Sequence, residues 1–241
     1  MDSENSDQGK NNGSIYLVES ESAFGEMERA IAISVMGVAA DGGSIFSPLS
    51  GMKKARKGGE LDDLQTFKQS WQEWQQHSFR EFLAETFVEV YTASAEMRVR
   101  RIMNLDKKLD SRLSGAEVKR SREAGRCFLE GKSEMRRAPQ WQKYARAVEQ
   151  GDCPGHVVTV FALQSALYHL PLLPALTAYV YFEWRAGMGV FLSHRDQDKQ
   201  EQQEKQELTL QCFQQQYPES MDVVREFFDG GTEFGKAVSA R

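Results

Sequence analysis

The feature that most constrains the fold is a mostly apolar run over residues 153–192, which prolines and several polar residues interrupt. A membrane-spanning helix needs about twenty continuous apolar residues. Pro171 and Pro174 divide the run, because proline lacks an N–H and biases the preceding residue away from helical geometry. The run therefore predicts two buried helices, over about 154–170 and 174–192. Helices that are apolar on almost every side need protein around them, so this pair should form the centre of an all-α domain.

Composition and the ends of the chain fit a single multi-helix globular domain. The formal net charge of −5 over 241 residues gives no global indication of a nucleic-acid or membrane partner. Residues 1–14 are acidic and polar, without the basic and apolar parts of a secretory signal, so we expect a disordered tail and a cytoplasmic protein. The helical domain should occupy residues 15–230, followed by a flexible C-terminal tail over 231–241.

Apolar residues recur at helical spacing along most of the chain. A first helix is predicted within 15–40, and a loop with a basic cluster at 53–57 follows it. Between 61 and 101 the apolar stripe changes phase near His77 and Ser78, which predicts two helices or one bent helix. The aromatic residues of this stripe alternate with glutamates rather than with Lys or Arg, so we interpret them as core. No segment shows strand alternation.

Further helices are predicted in the second half of the chain. Ser114 and Glu117 fit a capping box, which predicts a helix that begins there and ends near Gly131. A short helix should follow over 141–150. A last amphipathic helix, over 208–228, comes after a polar, glutamine-rich stretch.

A search for chemistry finds no catalytic or metal-binding constellation. The chain has no P-loop, no Rossmann glycine pattern, no G-x-S-x-G elbow and no H-E-x-x-H pair. Cys153 and His156 are three residues apart, but two ligands do not make a metal site. The three cysteines lack C-x-x-C spacing and are predicted to be reduced, mostly buried thiols. The residues by themselves therefore predict a non-catalytic protein without cofactor or metal, which acts by presenting surfaces to partners.

Four segments, in this order and spacing, resemble the urease accessory protein family UreF, and the last of them is ELTLQCFQQQYPESMDVVREFF (207–228). The first is IAISVMGVAADGGSIFSPLSGM (31–52), with a glycine pair and a serine that match the family signature. The second is LDKKLDSRLSGAEVKRSREAGRCFLE (105–130), and the third is HVVTVFALQSALYHLPLLPALTAYVY (156–181). Departures from the family pattern at Ser44 and Lys53 identify a divergent member.

The resemblance implies an all-α urease maturation chaperone that makes no bonds itself and can form a homodimer. It would bind the accessory protein UreD (UreH) and the GTPase UreG, and the complex would act on apo-urease during nickel-site assembly. The resemblance and the exposed-loop pattern together give candidate partner contacts, namely Gly42, Gly43, Ser47, Ser121, Gly125, His156 and Tyr179. For the first three the alternative is a plain helix-ending turn. For the other four it is packing inside the protein.

Two other classes of protein compete with this interpretation. A small helical RNA-binding or regulatory protein is supported by the basic cluster 53–57 and by three further arginine groups, Arg98, Arg100–Arg101 and Arg136–Arg137. The negative net charge and the acidic aromatic helix oppose it. An enzyme with a cofactor buried in a helical bundle would need convergent polar groups that the sequence does not show.

Overall fold

The part of the chain that the computed structural model describes, residues 60–131 and 137–193 with Asp222, is built from helices and short turns without a strand. In chain order the helices are α1 (Glu60–Trp74), a π-helix (Gln75–Leu83), α2 (Ala84–Ala95), α3 (Val99–Leu109), α4 (Gly115–Gly131), α5 (Pro139–Glu149), α6 (Val157–Leu167) and α7 (Leu172–Ser193). The predicted all-α class is confirmed. None of these helices is long and apolar enough to cross a bilayer.

Several predicted segments lie outside the described residues. These are the 15–40 helix, the glycine loop with the basic cluster 53–57, the polar stretch after Ser193, the 208–228 helix and both tails.

The change of phase near His77 is a π-helix that joins α1 to α2 without a break. A π-helix bonds each N–H to the carbonyl five residues earlier, so it shifts the following side chains around the axis. Buried Trp74 is accordingly followed by buried Phe79, five residues later, and the stripe then continues through Leu83 and Phe87. The sequence left two helices or one bent helix open, and the structure has one uninterrupted helical run from α1 through the π-helix to Ala95.

Helix α6 lies at the centre of the described structure and packs against α2 and α4 most extensively, and also against α3 and α7. Its residues from Val157 to Ala166 are all buried. Phe161 lies 5.7 Å from Phe128 of α4 and 5.5 Å from Tyr179 of α7, between ring centroids. This contact joins three helices through buried aromatic rings, and burial of apolar surface of this kind is the main favourable term in folding.

A second aromatic group attaches α1 to the same core. The Trp184 ring of α7 lies edge-on to Phe67 at 5.0 Å and to Trp71 at 5.1 Å. Both α1 side chains are fully buried. The aromatic stripe predicted in this region is therefore core, as expected from its glutamate neighbours.

Three helix boundaries differ from the predictions, each for a local reason. Helix α2 ends at Ala95 and a separate helix α3 follows, where the sequence pattern predicted helix to residue 101. Helix α6 begins at Val157 rather than near Pro154, because the preceding loop turns to bind a carboxylate described below. Helix α7 begins at Leu172, two residues before the predicted Pro174. Proline is tolerated there because first-turn N–H groups have no partner within the helix.

Helices α2, α5 and α6 end in the same Schellman geometry. In each, one residue takes a positive φ: Met97 at 57°, Gly151 at 79° and His169 at 55°. At the end of α2, the Arg98 N–H donates to the Ala93 carbonyl at 2.8 Å, and the Met97 N–H donates to Ser94 at 2.9 Å. Glycine is the usual residue at this left-handed position, since a Cβ there is unfavourable. Met97 and His169 therefore occupy positions that folding alone would assign to glycine.

Replacing these two side chains by glycine should stabilise the protein. The left-handed conformation costs an L-residue about 1–2 kcal/mol, and the extra backbone entropy of glycine offsets about 0.5–1 kcal/mol of the gain. We expect Met97→Gly and His169→Gly each to raise the free energy of unfolding by about 0.5–1 kcal/mol in urea titrations. Gly151→Ala is the opposite control and should lower it. A lower stability of Met97→Gly would show that its side chain packs within the protein.

Candidate functional site

Four of the seven predicted contact residues lie in the described structure, and three of them meet at one junction. Ser121 and Gly125 of α4 face the loop that precedes α6, where His156 lies. Tyr179 lies in the aromatic core on α7. The other three, Gly42, Gly43 and Ser47, lie outside the described residues.

The junction is organised around a buried carboxylate on α3. Asp106 is fully buried. Its Oδ2 accepts hydrogen bonds from the Cys153 thiol at 3.0 Å and the Gly155 N–H at 2.7 Å, and its Oδ1 accepts from the His156 N–H at 3.0 Å. Two consecutive backbone N–H groups thus converge on one carboxylate, which is possible because Gly155 has a φ of 78°. Bonds of this type to an ionised acceptor are stronger than bonds between neutral groups.

The same residues cap the N-terminus of α6 from outside the helix. His156 is the N-cap residue, but its own side chain makes no cap hydrogen bond. The Val157 N–H donates instead to the Ser121 hydroxyl of α4, at 3.3 Å. The first N–H groups of a helix have no partner within it, and a buried N–H without a partner costs about 1–3 kcal/mol. Ser121 and Asp106 therefore replace the water that a surface helix would use, and the negative charge of Asp106 also suits the helix dipole.

The imidazole of His156 connects α4 to the end of α3. Its Nε2 lies 3.0 Å from Oδ1 of Asp110, and its Nδ1 lies 3.1 Å from the Ser121 hydroxyl. An ionised carboxylate only accepts, so Nε2 carries the proton and donates to Asp110, and in the neutral ring Nδ1 accepts from the serine. Arg122 forms an ion pair with the other oxygen of Asp110. The side chain of His156 thus belongs to a hydrogen-bond chain, as the interpretation of a packed core histidine expected.

Gly125 permits the closest contact of the junction. A Cβ built on this residue would lie 1.9 Å from the carbonyl oxygen of Gly155 and 3.0 Å from the Val157 nitrogen. The loop before α6 therefore packs directly against α4 at Ser121 and Gly125, which is the internal packing given as the alternative for these residues. Glycine within a helix costs about 0.5–1 kcal/mol relative to alanine, a cost that this backbone approach offsets.

Two ionisable groups beside Asp106, the Cys153 thiol and the Tyr144 hydroxyl, are held in their neutral forms. Burial, and then the charge of Asp106, raise the pKa of the Cys153 thiol far above its ordinary range. Burial, again with Asp106, raises the pKa of Tyr144 on α5. A thiol must ionise to act as a nucleophile or a metal ligand, so Cys153 serves as a hydrogen-bond donor. Within the described ranges, no group of three or more His, Cys, Asp and Glu side chains is placed to hold a metal ion.

The other two cysteines differ from Cys153. Cys127 is exposed, although the sequence predicted mostly buried thiols. It lies two residues beyond Gly125 on α4, which places it on the opposite face of the helix from the junction. Cys212 lies outside the described residues.

Tyr179, the fourth predicted residue, pairs with a second buried carboxyl group. Its hydroxyl donates to Oε1 of Glu183, one turn further along α7, at 2.7 Å. Both side chains are fully buried. Burial, and then the charge of Glu183, raise the pKa of Tyr179. This pair makes a polar connection within one helix, separate from the junction at α6.

All four described candidates are thus buried, and in the described structure they hold helices together. A role for them in direct contact with a partner stays a prediction. The sequence reasoning missed Asp106, although a signal was available. It occupies an apolar position in the α3 stripe of Ile102, Leu105 and Leu109, the other buried residues of that helix. An acidic residue on an apolar stripe indicates a buried partner.

Comparison with protein-family models matches residues 63–187 to the family described as UreF. The matched range covers more than half of the chain and contains the entire junction. No curated protein and no solved structure matches the chain.

Substitution of Gly125 by alanine should open the junction. The methyl group would collide with backbone atoms of the Gly155–Val157 segment, which cannot move aside without breaking bonds to Asp106. We expect a loss of about 3 kcal/mol or more in the free energy of unfolding, measured by urea titration. Gly115→Ala is the matched control, because its Cβ meets nothing within 4 Å, and it should change stability by less than about 1 kcal/mol. Wild-type stability of Gly125→Ala would contradict the contact.

His156 should make stability depend on pH below neutrality. Burial lowers its pKa from the ordinary value of 6.5, although Asp106 and Asp110 act in the opposite direction. As the pH falls below 6.5, His156 takes up a proton in the unfolded chain before it does so in the folded protein. The free energy of unfolding is therefore largest above pH 6.5 and decreases until the pH reaches the lower pKa of the folded state. We expect His156→Gln to be less stable than wild type at pH 7.5 but to lose less between pH 7.5 and 5.5.

His77→Gln is the control for this experiment, because His77 is an exposed histidine on the π-helix. It should keep the pH dependence of the wild-type protein. An equal loss in His156→Gln and wild type would assign the pH effect to other groups.

Proposed function

The chain belongs to the UreF family, and from this we propose that it is a non-catalytic scaffold for urease maturation. In this proposal it connects a UreD/UreH-type protein and the GTPase UreG to apo-urease while the nickel site is assembled. The observation that carries the proposal is the family match over residues 63–187. The proposed location is the cytoplasm.

The chemistry of the junction supports a scaffold rather than an enzyme. Cys153 and His156 have the side chains most suited to catalysis, and both are fully or almost fully buried. Each is also bonded to a carboxylate of α3 or of the turn after it. The thiol is held protonated, and the imidazole has both nitrogens occupied. Groups arranged in this way position backbone segments, because neither can reach a substrate.

The proposed scaffold would work through coupling between binding sites. A partner that contacts one surface changes the affinity of another surface only if the protein between them has different contacts in the two states. The described helices share one continuous core, which connects surfaces on α1, α3, α5 and α7. Homodimerisation, which the resemblance implies, stays a prediction and would double the number of such surfaces.

Reconstitution with purified proteins tests the proposal. Apo-urease is incubated with nickel, bicarbonate, GTP, UreG and the UreD/UreH-type protein, with and without this chain. We expect urease activity to appear only when this chain is present, and we expect the chain to co-purify with the UreD/UreH-type protein. Gly115→Ala should support activation as the wild type does.

Two results would contradict the proposal. One is equal urease activation in the absence of this chain. The other is capture of RNA instead of the accessory proteins, with binding that falls steeply with salt, which would favour the competing RNA-binding class.

A further inference from the structure

The exposed face of α3 carries cations that have no partner within the described structure. Arg100, Lys107 and Lys108 are exposed and form no ion pair with any described residue. Arg100 and Lys107 are seven residues apart, so they lie two turns apart on the same face, about 10 Å along the axis. Asn104, also exposed, lies between them. A stripe of this kind is unexpected in a chain with a net charge of −5.

Other cations near the stripe are already neutralised. Arg98 pairs with Glu96 at 3.2 Å, and Arg101 pairs with Glu89 of α2 at 3.4 Å. Arg112 lies 3.7 Å from Glu85 of α2. Lys108 lines the shallow cleft between α2 and α3, next to the same two α2 glutamates. The charges left for an external partner are therefore concentrated on Arg100 and Lys107, with Lys108 at the edge.

An exposed methionine lies at the N-terminal end of this stripe. Met97 is 74% exposed, and among the described residues it is the large hydrophobic side chain that stands out in solvent. It occupies a left-handed position at which glycine is favoured for folding. Methionine is a flexible, polarizable side chain that is frequent at protein-binding surfaces. A flexible apolar side chain exposed at this position suits a contact outside the chain.

We propose that the α3 face, defined as Met97, Arg100, Asn104 and Lys107, docks onto an acidic surface of a partner protein. The partner would present carboxylates about 10 Å apart, as on positions two turns apart on an acidic helix, and an apolar hollow for Met97. Complementary charge would speed the encounter, and Met97 would prolong the complex once it has formed. This inference rests on the proposed function, since it assigns a surface to one of the accessory-protein partners.

The neighbourhood of the face favours a protein over a nucleic acid. Glu85, Glu89 and Glu96 are each paired with an arginine beside the face, so the charge left there is a few separate cations and not the continuous basic groove that follows a nucleic-acid backbone. Binding of single-stranded nucleic acid also depends on exposed aromatic rings on which bases stack. Over residues 65–130 and 137–188, whose side-chain exposure the structure describes, no large aromatic side chain is exposed. A partner protein, in contrast, can place single carboxylates opposite Arg100 and Lys107.

Charge reversal tests the electrostatic part of the proposal. The full chain, as wild type and as Arg100→Glu/Lys107→Glu, is measured by surface plasmon resonance against the purified UreD/UreH-type protein and, separately, against UreG. For one of these partners, we expect the association rate constant at low salt to fall by about tenfold or more and to depend less on salt. Lys143→Glu/Arg146→Glu is the matched control on the exposed side of α5, with an identical change in charge.

Substitution of Met97 tests the apolar part of the proposal independently of folding. Met97→Gly removes the side chain from a position where glycine favours folding, so weaker binding cannot be attributed to a damaged protein. We expect its complex to dissociate about tenfold faster or more. His169→Gly is the matched control, since it relieves the same backbone conformation at the end of α6 and should leave binding unchanged.

The outcomes separate this inference from the proposed function. If the wild type binds neither partner, the proposed function fails first. If the wild type binds and the α3 variants bind with unchanged rates, the inference is wrong and the proposed function stands. Loss of RNA binding or of self-association in the α3 variants, with accessory-protein binding intact, would assign the face to another occupant and overturn the inference.

Discussion

The structure depends on one constraint, which is that helix α6 begins inside the protein. A helix start at the surface leaves its first N–H groups to water, but α6 has protein on every side from its first residue. The fold meets this need with Asp106 from α3 and the Ser121 hydroxyl from α4. Both partners come from distant parts of the chain, so the start of the central helix is completed only when three separate segments have come together.

Because of this requirement, the polar junction tolerates changes of shape less well than the aromatic core does. Aromatic rings such as Phe161 make contacts without strict direction, and apolar cores accept changes of shape if their volume is kept. The junction has less freedom, since Gly125 contacts the Gly155 carbonyl through backbone atoms and Asp106 uses both carboxylate oxygens. A buried network of this kind contributes fully only when each member has its partner. The hydrophobic core therefore favours compaction, and the junction selects the arrangement of helices.

The sequence was a good guide where a feature depends on neighbouring residues. One half of the capping box predicted at Ser114 is present, with the Ser114 N–H donating to Glu117 at 2.8 Å, and the central helix pair was recognised from its proline-divided apolar run. Features that depend on distant residues were missed. Helix α3 is separate from α2 because the backbone of Met97 is left-handed, and a methionine in the sequence does not indicate that conformation. The position of Asp106 on an apolar stripe signals a buried partner, but the partners themselves lie 47 to 50 positions away and are identified only in the folded chain. The prediction of seven partner contacts was limited in the same way, because sequence alone does not show that four of them are buried, namely Ser121, Gly125, His156 and Tyr179.

Helix α3 belongs to both the interior and the surface, and this connects the junction to the scaffold role. Its inner face holds Asp106, and its outer face carries Arg100 and Lys107. Because three hydrogen bonds fix Asp106 to the loop before α6, α3 cannot rotate about its axis without leaving a buried carboxylate unpaired, which is strongly unfavourable. A partner on the outer face would therefore find its charges in one fixed orientation, at little cost in ordering them. Any response to that partner would have to move α3 together with the start of α6, and so would reach the centre of the fold.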